Sequence, residues 1–514
     1  MSRLQAAYFY VRSRPVDAAI ALIGGFAFFY ALTTLALPFG WDHGIMTAAS
    51  APYAHGGLPY RDSWDMKGPV AYLPFALADL LFGPSMWGTR LVDLVIEIPA
   101  LWVLARCLSG VMNPKFGVLT ALSYYLWYSA SGWFYTAQPD AWAAAWSIIA
   151  IAPLLRPEAK PSLLMLAASG FFIGCAGLVK PFFFALGLVP LVFIALAQAT
   201  WMKRFQLALA LAGGAMVPLA LVLIYFAAKG GLNALLEVHI LFSLHSYSGA
   251  DGSLKYSVDS LISFAGLASN ALLAPFFVVG VWALRRNVRL LAILLAWWAV
   301  ALLCVVIQGK FYPYHWFIVY PPSIVFAALG AYALFKESSA LSAGRVLAIA
   351  APTIFLLLVV AQPFKDAVKV AYFLGVAHNS DALLRTYSRD EFNAADEIAG
   401  ARYLAAHTKP DDRVFVWGVD SYVGYLSGRP PASRFSFDLP VTMHSAYRDV
   451  YRAQMMTELR THPPRYFVFG LPWKHDKAGS VADFPELRAF LAANYEIETR
   501  IGVLDIYRRV PRGI

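Results

Sequence analysis

About eleven stretches of mostly apolar residues, each roughly 16 to 26 long, leave this chain few ways to fold, because a run of that length crosses the hydrocarbon core of a bilayer as a helix. They lie near 16–38, 87–106, 115–134, 140–155, 162–179, 182–199, 205–228, 259–284, 288–307, 315–335 and 345–362. A polytopic α-helical membrane protein is the expected class. The composition agrees, since 59% of the 514 residues are hydrophobic and only 14% charged, far from the balance of a soluble domain. The first run is long enough to remain in the bilayer and lacks a small-residue cleavage site, so it reads as a signal-anchor.

The formal net charge of +10 would suggest an acidic partner in a soluble protein, but here it reports orientation. Lys and Arg gather in alternate connections: Arg3, Arg12 and Arg14; Arg106 and Lys115; Arg156 and Lys160; Lys203 and Arg204; Arg285, Arg286 and Arg289; Lys336 and Arg345. That set is expected to be cytoplasmic, with the N-terminus, and no nucleic-acid partner is implied. The opposite set holds the 41–69 segment, the Tyr135 to Asp140 turn, the Val179 to Pro181 turn, the 229–258 loop, the Gln308 to Tyr314 turn and everything after about 363. The acid-rich and aromatic-rich connections therefore face outward together, and an external catalytic chamber is expected.

The densest of these is WDHGIMTAASAPYAHGGLPYRDSWDMKGP, Trp41 to Pro69, within a first outward loop spanning 39–86. Asp42 stands at the mouth of the first span, and Arg61, Asp62, Asp65 and Lys67 follow. Asp140 opens the fourth span in Gln138-Pro139-Asp140, where it also suits a helix N-cap. Two outward carboxylates either divide general-base and orienting roles or jointly hold a divalent cation, whose preference for oxygen suits Asp. Lys67, Lys310 and Lys180 are cations that break the positive-inside pattern, and Arg61 adds a planar fork. Several cations around an acidic pair suggest a bound phosphate on which charge develops. His315 starts the tenth span, beside Tyr312. Tyr60, Trp64 and Tyr312 read either as interfacial belt residues or as contacts for a sugar ring.

After about residue 363 charges become frequent and helix and strand patterns alternate: helical from Glu391 to His407 and near 446–461 and 484–493, strand-like at Arg413 to Trp417, Tyr466 to Phe469, about 496–501 and 503–507. A soluble α/β domain with a partly parallel sheet is expected over 363–514, beside a transmembrane catalytic domain over 1–362. It carries no glycine fingerprint for a nucleotide. Cys107, Cys175 and Cys304 lie far apart in apolar surroundings, which supports neither a disulfide framework nor a zinc site.

Asp42 after the first span, Gly57-Leu58-Pro59-Tyr60-Arg61-Asp62, Asp65-Met66-Lys67-Gly68-Pro69, Gln138-Pro139-Asp140, Lys180-Pro181 and the Lys310 to His315 turn before Pro321-Pro322 together carry a resemblance. The chain resembles the bacterial GT-C glycosyltransferases of the dolichyl-phosphate-mannose protein mannosyltransferase and aminoarabinose transferase type. The resemblance implies a GT-C fold and an inverting transfer of sugar from a polyprenyl-phosphate donor to a lipid, glycan or protein acceptor at the outer face of the bacterial cytoplasmic membrane. It maps the acid that promotes acceptor attack to Asp42, the second-loop acid to Asp140 and the donor-phosphate lysine to Lys67. It leaves a divalent cation held by Asp42 and Asp140 open.

A transporter or lipid flippase is the rival reading, and Asp93 and Glu97, one turn apart in the second span, are its best support. A noncatalytic subunit of an envelope-assembly complex is a third.

Overall fold

A computed structural model describes residues 15–247, 253–337, 343–389, 392–471 and 483–510. Arg3, Arg12, Arg14 and Glu391 lie outside the described residues.

Every one of the apolar runs is largely helical, as a bilayer demands of segments whose backbone groups must be satisfied internally. Among the described residues five helical stretches are long and apolar enough to cross a membrane: Val16–Thr34, Trp201–Ala228, Ala268–Arg286, Val288–Gln308 and Pro313–Lys336. Pro139–Leu155, Leu163–Gly177 and Pro181–Ala195 are shorter apolar helices. Met86–Leu108 is long enough but carries Arg90, Asp93, Glu97 and Arg106. The run expected at 259–284 is two helices, Leu254–Gly266 and Ala268–Ala283, because Leu267 takes an extended backbone between them.

The chain forms two compact units. The first comprises Met1–Thr34, Asp93–Val222 and Asp251–Val368, a bundle of apolar helices. Within it Ala268–Ala283 packs on Tyr320–Glu337 at a point where both present glycine. A Cβ on Gly280 would collide with the Phe326 carbonyl, and one on Gly330 with the Phe276 carbonyl. Small residues substitute here for the hydrophobic drive that helices lack in lipid, since they let the backbones approach.

The second unit comprises Leu35–Val92, Leu223–Ala250 and Lys369–Ile514. The C-terminal residues after about 363 were expected to stand as a domain by themselves. They share their unit with two earlier stretches because the helix Trp41–Ala54 packs on Ser421–Leu426. Gly44 lies so close to Tyr422 that a Cβ there would meet the ring at 2.7 Å.

The segment 41–69 was expected to be a loop, yet its first half is the helix Trp41–Ala54, and Pro69–Tyr72 and Leu73–Phe82 are two further helical stretches. Much of the 229–258 loop is also helical, through Leu232–Ala234 and Leu235–Tyr247.

The sheet is four-stranded, in the order Val414–Trp417, Tyr466–Phe469, Leu504–Arg509, Tyr495–Ile501. The first pair is parallel and the others antiparallel. Each strand lies within a residue or two of where β-branched and aromatic runs predict it. The helices Ala394–His407, Arg448–Thr461 and Pro485–Asn494 accompany it. Leu404, Val414, Val416, Val423, Tyr466, Val468, Leu504 and Ile506 form its buried core.

Candidate active site

Gly40 has an extended backbone and its N–H donates to His43 Nδ1 at 3.1 Å, which ties down one amide at the start of Trp41–Ala54. This fixes the His43 tautomer, with the proton on Nε2. Asp42 sits in the first turn, half-buried, at the helix end whose free N–H groups favour negative charge.

The Tyr60 to Lys67 segment is held beneath it by its own backbone. Tyr60 adopts φ 68°, and its hydroxyl donates to the Lys67 carbonyl at 2.7 Å. The Tyr72 hydroxyl donates to the same carbonyl at 3.1 Å and lies 3.1 Å from Asp65 Oδ2. Lys67 Nζ stands 3.9 Å from that carboxylate, and His239 Nδ1 is 3.0 Å from the Met66 carbonyl.

Asp65 is the buried acid of this cluster. Burial raises its pKa above the usual Asp value, against the opposing pull of Lys67, the Tyr72 hydroxyl and the Met66 N–H, and the charge of Asp42 raises it further. Asp42, Asp65 and Lys67 therefore share one electrostatic neighbourhood.

Three residues of the segment differ from expectation. Arg61 closes its fork on the adjacent Asp62, with Nε to Oδ1 and Nη2 to Oδ2 both at 2.8 Å, and its Nη1 donates to the Lys229 carbonyl at 3.0 Å. Tyr60 and Trp64, read either as interfacial belt residues or as sugar contacts, are fully buried. Phe226 and Tyr72 flank the Tyr60 ring, and Phe242, Phe437 and Tyr451 enclose Trp64, with centroids at 4.8, 5.7 and 5.9 Å. They anchor the segment rather than face a ligand.

In the first unit Asp140 is the second residue of Pro139–Ile151, whose N-cap is Gln138, so the capping position falls two residues before it. The buried Asp140 carboxylate instead receives the Lys180 ammonium, Nζ to Oδ1 at 2.7 Å. The same Nζ donates to Gln308 Oε1 at 2.7 Å, and Gln308 Nε2 donates to the Cys304 carbonyl at 3.1 Å, which turns its oxygen toward the lysine. Lys180 also stands 5.5 Å from the Tyr314 ring centroid. Three turns distant in sequence thus meet here, at Asp140, Lys180 and Gln308.

Lys310 and His315 are both buried. The Lys310 carbonyl accepts from the Tyr256 hydroxyl at 3.1 Å, and the His315 ring lies between Tyr312 and Tyr314, at 5.3 and 4.7 Å. Tyr312 is half-buried.

Tyr60, Ala137 and Phe311 are three of the four non-glycine residues with positive φ among those described. Each falls in one of the turns singled out above. Such backbones cost on the order of 1–3 kcal/mol each and persist where surrounding contacts enforce them, most often at functional sites.

Among the described residues no three His, Cys, Asp or Glu side chains form a group fit to hold a metal ion. Asp42 and Asp140 belong to different units. Gln308, Asp65 and His239 were given no site role: the first two stand in segments singled out in the sequence but only contacts show their partners, and no motif marks His239.

The sequence matches no family model and no curated protein. Solved structures do match. ArnT from Cupriavidus metallidurans bound to undecaprenyl phosphate is 15% identical with a TM-score of 0.63, covering 96% of this chain and 98% of that one. The same protein in its apo state is 14% identical, with a TM-score of 0.64 over the same shares. At such identity the likeness is one of architecture: this chain has the GT-C fold of the aminoarabinose transferase.

Proposed function

We propose that this chain is a membrane glycosyltransferase that moves a sugar from a polyprenyl-phosphate donor, with inversion, to a lipid, glycan or protein acceptor at the outer face of the cytoplasmic membrane. The observation that carries the reading is the fold likeness to ArnT, nearly end to end in both chains, together with the undecaprenyl phosphate which that protein binds. The N-terminus is taken as cytoplasmic, and the residues after about 363 as an outer domain beside the catalytic one.

In this reading Asp42 accepts the proton of the acceptor hydroxyl as its oxygen attacks the anomeric carbon. The new C–O bond forms while the bond from that carbon to the phosphate oxygen breaks, and the electron pair leaves on the lipid phosphate. A phosphate needs positive charge more than a proton, so Lys67, in the same unit as Asp42, supports the leaving group. Lys180 holds Asp140 in place as an orienting carboxylate, and Arg61 acts on the loop through Asp62.

Transfer from a panel of radiolabelled polyprenyl-phosphate sugars to membrane extracts tests this, with wild type and Asp42→Asn at matched expression. Wild-type transfer that falls by roughly 100-fold or more in the variant supports the reading and the base. Equal transfer removes Asp42 from the mechanism. Absence of transfer from every donor moves weight to a transporter or flippase, or to a noncatalytic subunit.

A further inference from the structure

Asp93 lies on the helix Met86–Leu108, buried among aromatic residues of the first unit, where an unsatisfied carboxylate would be costly. Its partners explain its presence. The Tyr128 hydroxyl donates to it, lying 3.1 and 3.0 Å from its two oxygens, and Trp142 Nε1 donates to Oδ1 at 2.9 Å. Tyr128 is also an acceptor: the Ala137 N–H donates to its hydroxyl oxygen at 2.6 Å. A chain of bonds thus runs from the Ala137 amide through Tyr128 to Asp93, with Trp142 closing on the same carboxylate.

Both ends of that chain flank Asp140. Ala137, at φ 57°, stands three residues before it, and Trp142 stands two residues after it on the same helix. A left-handed alanine is held only if something enforces it, because its Cβ disfavours that backbone. Tyr128 supplies one such restraint at the amide, and the Asp93 carboxylate fixes which way the Tyr128 hydroxyl points, leaving its lone pairs for Ala137. Trp142 restrains the first turn of the helix from the other side.

We propose that Asp93, acting through Tyr128 and Trp142, is a positioning residue for the Ala137 to Asp140 turn and hence for the Asp140 to Lys180 pair. Its catalytic consequence rests on the glycosyltransferase reading above; the restraint on the turn does not. A carboxylate that would otherwise mark an ion pathway is accounted for as a clamp.

Two measurements on the full-length protein in detergent separate these parts. Hydrogen–deuterium exchange is followed by mass spectrometry for wild type, Tyr128→Phe and Asp93→Asn. Tyr128→Phe keeps the ring and loses only the hydroxyl, so it guards against a variant that fails to fold. Exchange in peptides covering 135–141 is expected to quicken by about tenfold, with the helices around Gly280 and Gly330 unchanged, as the loss of one buried hydrogen bond predicts. Donor-dependent transfer is expected to lose on the order of 10- to 100-fold in kcat with the donor KM held, since misplacing a group by about an ångström costs that much. Unchanged exchange at 135–141 overturns the proposal. Faster exchange with unchanged kcat overturns its catalytic half. Faster exchange in a protein inert towards every donor supports the clamp and removes the glycosyltransferase reading instead.

Discussion

Lys180 Nζ lies 2.7 Å from Asp140 Oδ1, and the same ammonium reaches Gln308 Oε1 at 2.7 Å. Asp140 is 1% exposed and Lys180 15%, so neither charge is well supported by water. The pair gains from mutual attraction only what its desolvation leaves over, but breaking it strands a buried carboxylate.

Lys180→Met is therefore expected to destabilise the protein by about 3 kcal/mol. Asp140→Asn added to it should recover much of the loss, because the amide carries no charge to strand. Thermal unfolding of the detergent-solubilised single and double variants measures the coupling. A double variant whose loss equals the sum of the Lys180→Met and Asp140→Asn losses would show that the two groups act independently.

Asp65 gives the first unfolding signature in pH. Burial raises its pKa above 3.8, so the folded protein holds that proton more tightly than the unfolded chain does. Its contribution to stability is then complete below the unfolded value and is lost as pH rises through the raised native value. Wild type should lose stability relative to Asp65→Asn as pH climbs from about 4. Melting temperatures of both across pH 4 to 8 decide it, and a wild type that gains on the variant with rising pH would contradict the burial argument.

Much of this was legible in the chain itself, for particular reasons. Runs such as 288–307 announce a helix because nothing else satisfies their backbone in lipid, and Tyr466 to Phe469 reads as a strand from its own residues. Trp41–Ala54 did not read as a helix: its Ala, Ser, Thr and Gly carry no apolar repeat, and its stability comes from packing on Ser421–Leu426, residues remote in sequence. The candidate acids and lysines could be named from their turns. That Lys180 would pair with Gln308, 128 residues away, could not, and neither could the burial of Tyr60 and Trp64, since belt and core use the same aromatic residues.

Arg434 joins the Tyr60 to Trp64 segment to residues far along the chain. Its Nη1 donates to the Tyr60 carbonyl at 2.8 Å, its Nη2 donates to Gln454 Oε1 at 2.7 Å and lies 3.6 Å from Glu237, and its carbonyl accepts from the Trp64 N–H at 2.7 Å. Arg434→Lys keeps the charge but not the fork that reaches both partners. Limited proteolysis should therefore cut within 56–68 sooner in Arg434→Lys than in wild type, with the loss of about 1.5–3 kcal/mol that a charged hydrogen bond supplies. Identical cleavage times would show that Trp64 burial alone holds the segment.

Glu397 and Asp420 form a buried acid pair in the C-terminal part, both fully inaccessible to water. Asp420 precedes the helix Ser421–Leu426, and its Oδ2 accepts from the Leu471 N–H. Burial raises the Glu397 pKa well above the usual 4.5 and the Asp420 charge raises it further, while burial raises the Asp420 pKa as well, so the folded pair holds a proton that the unfolded chain gives up. The sign follows from that proton: the folded state binds it more tightly than the unfolded chain, so this stability is whole below about pH 4.5 and drains away as pH rises through the native value. Glu397→Gln offers Asp420 an N–H donor that never titrates. The variant should match wild type near pH 4.5 and outlast it at pH 8, read as a higher melting temperature. A variant less stable than wild type at both values would mean that the shape of the carboxyl, not its proton, holds the pair together.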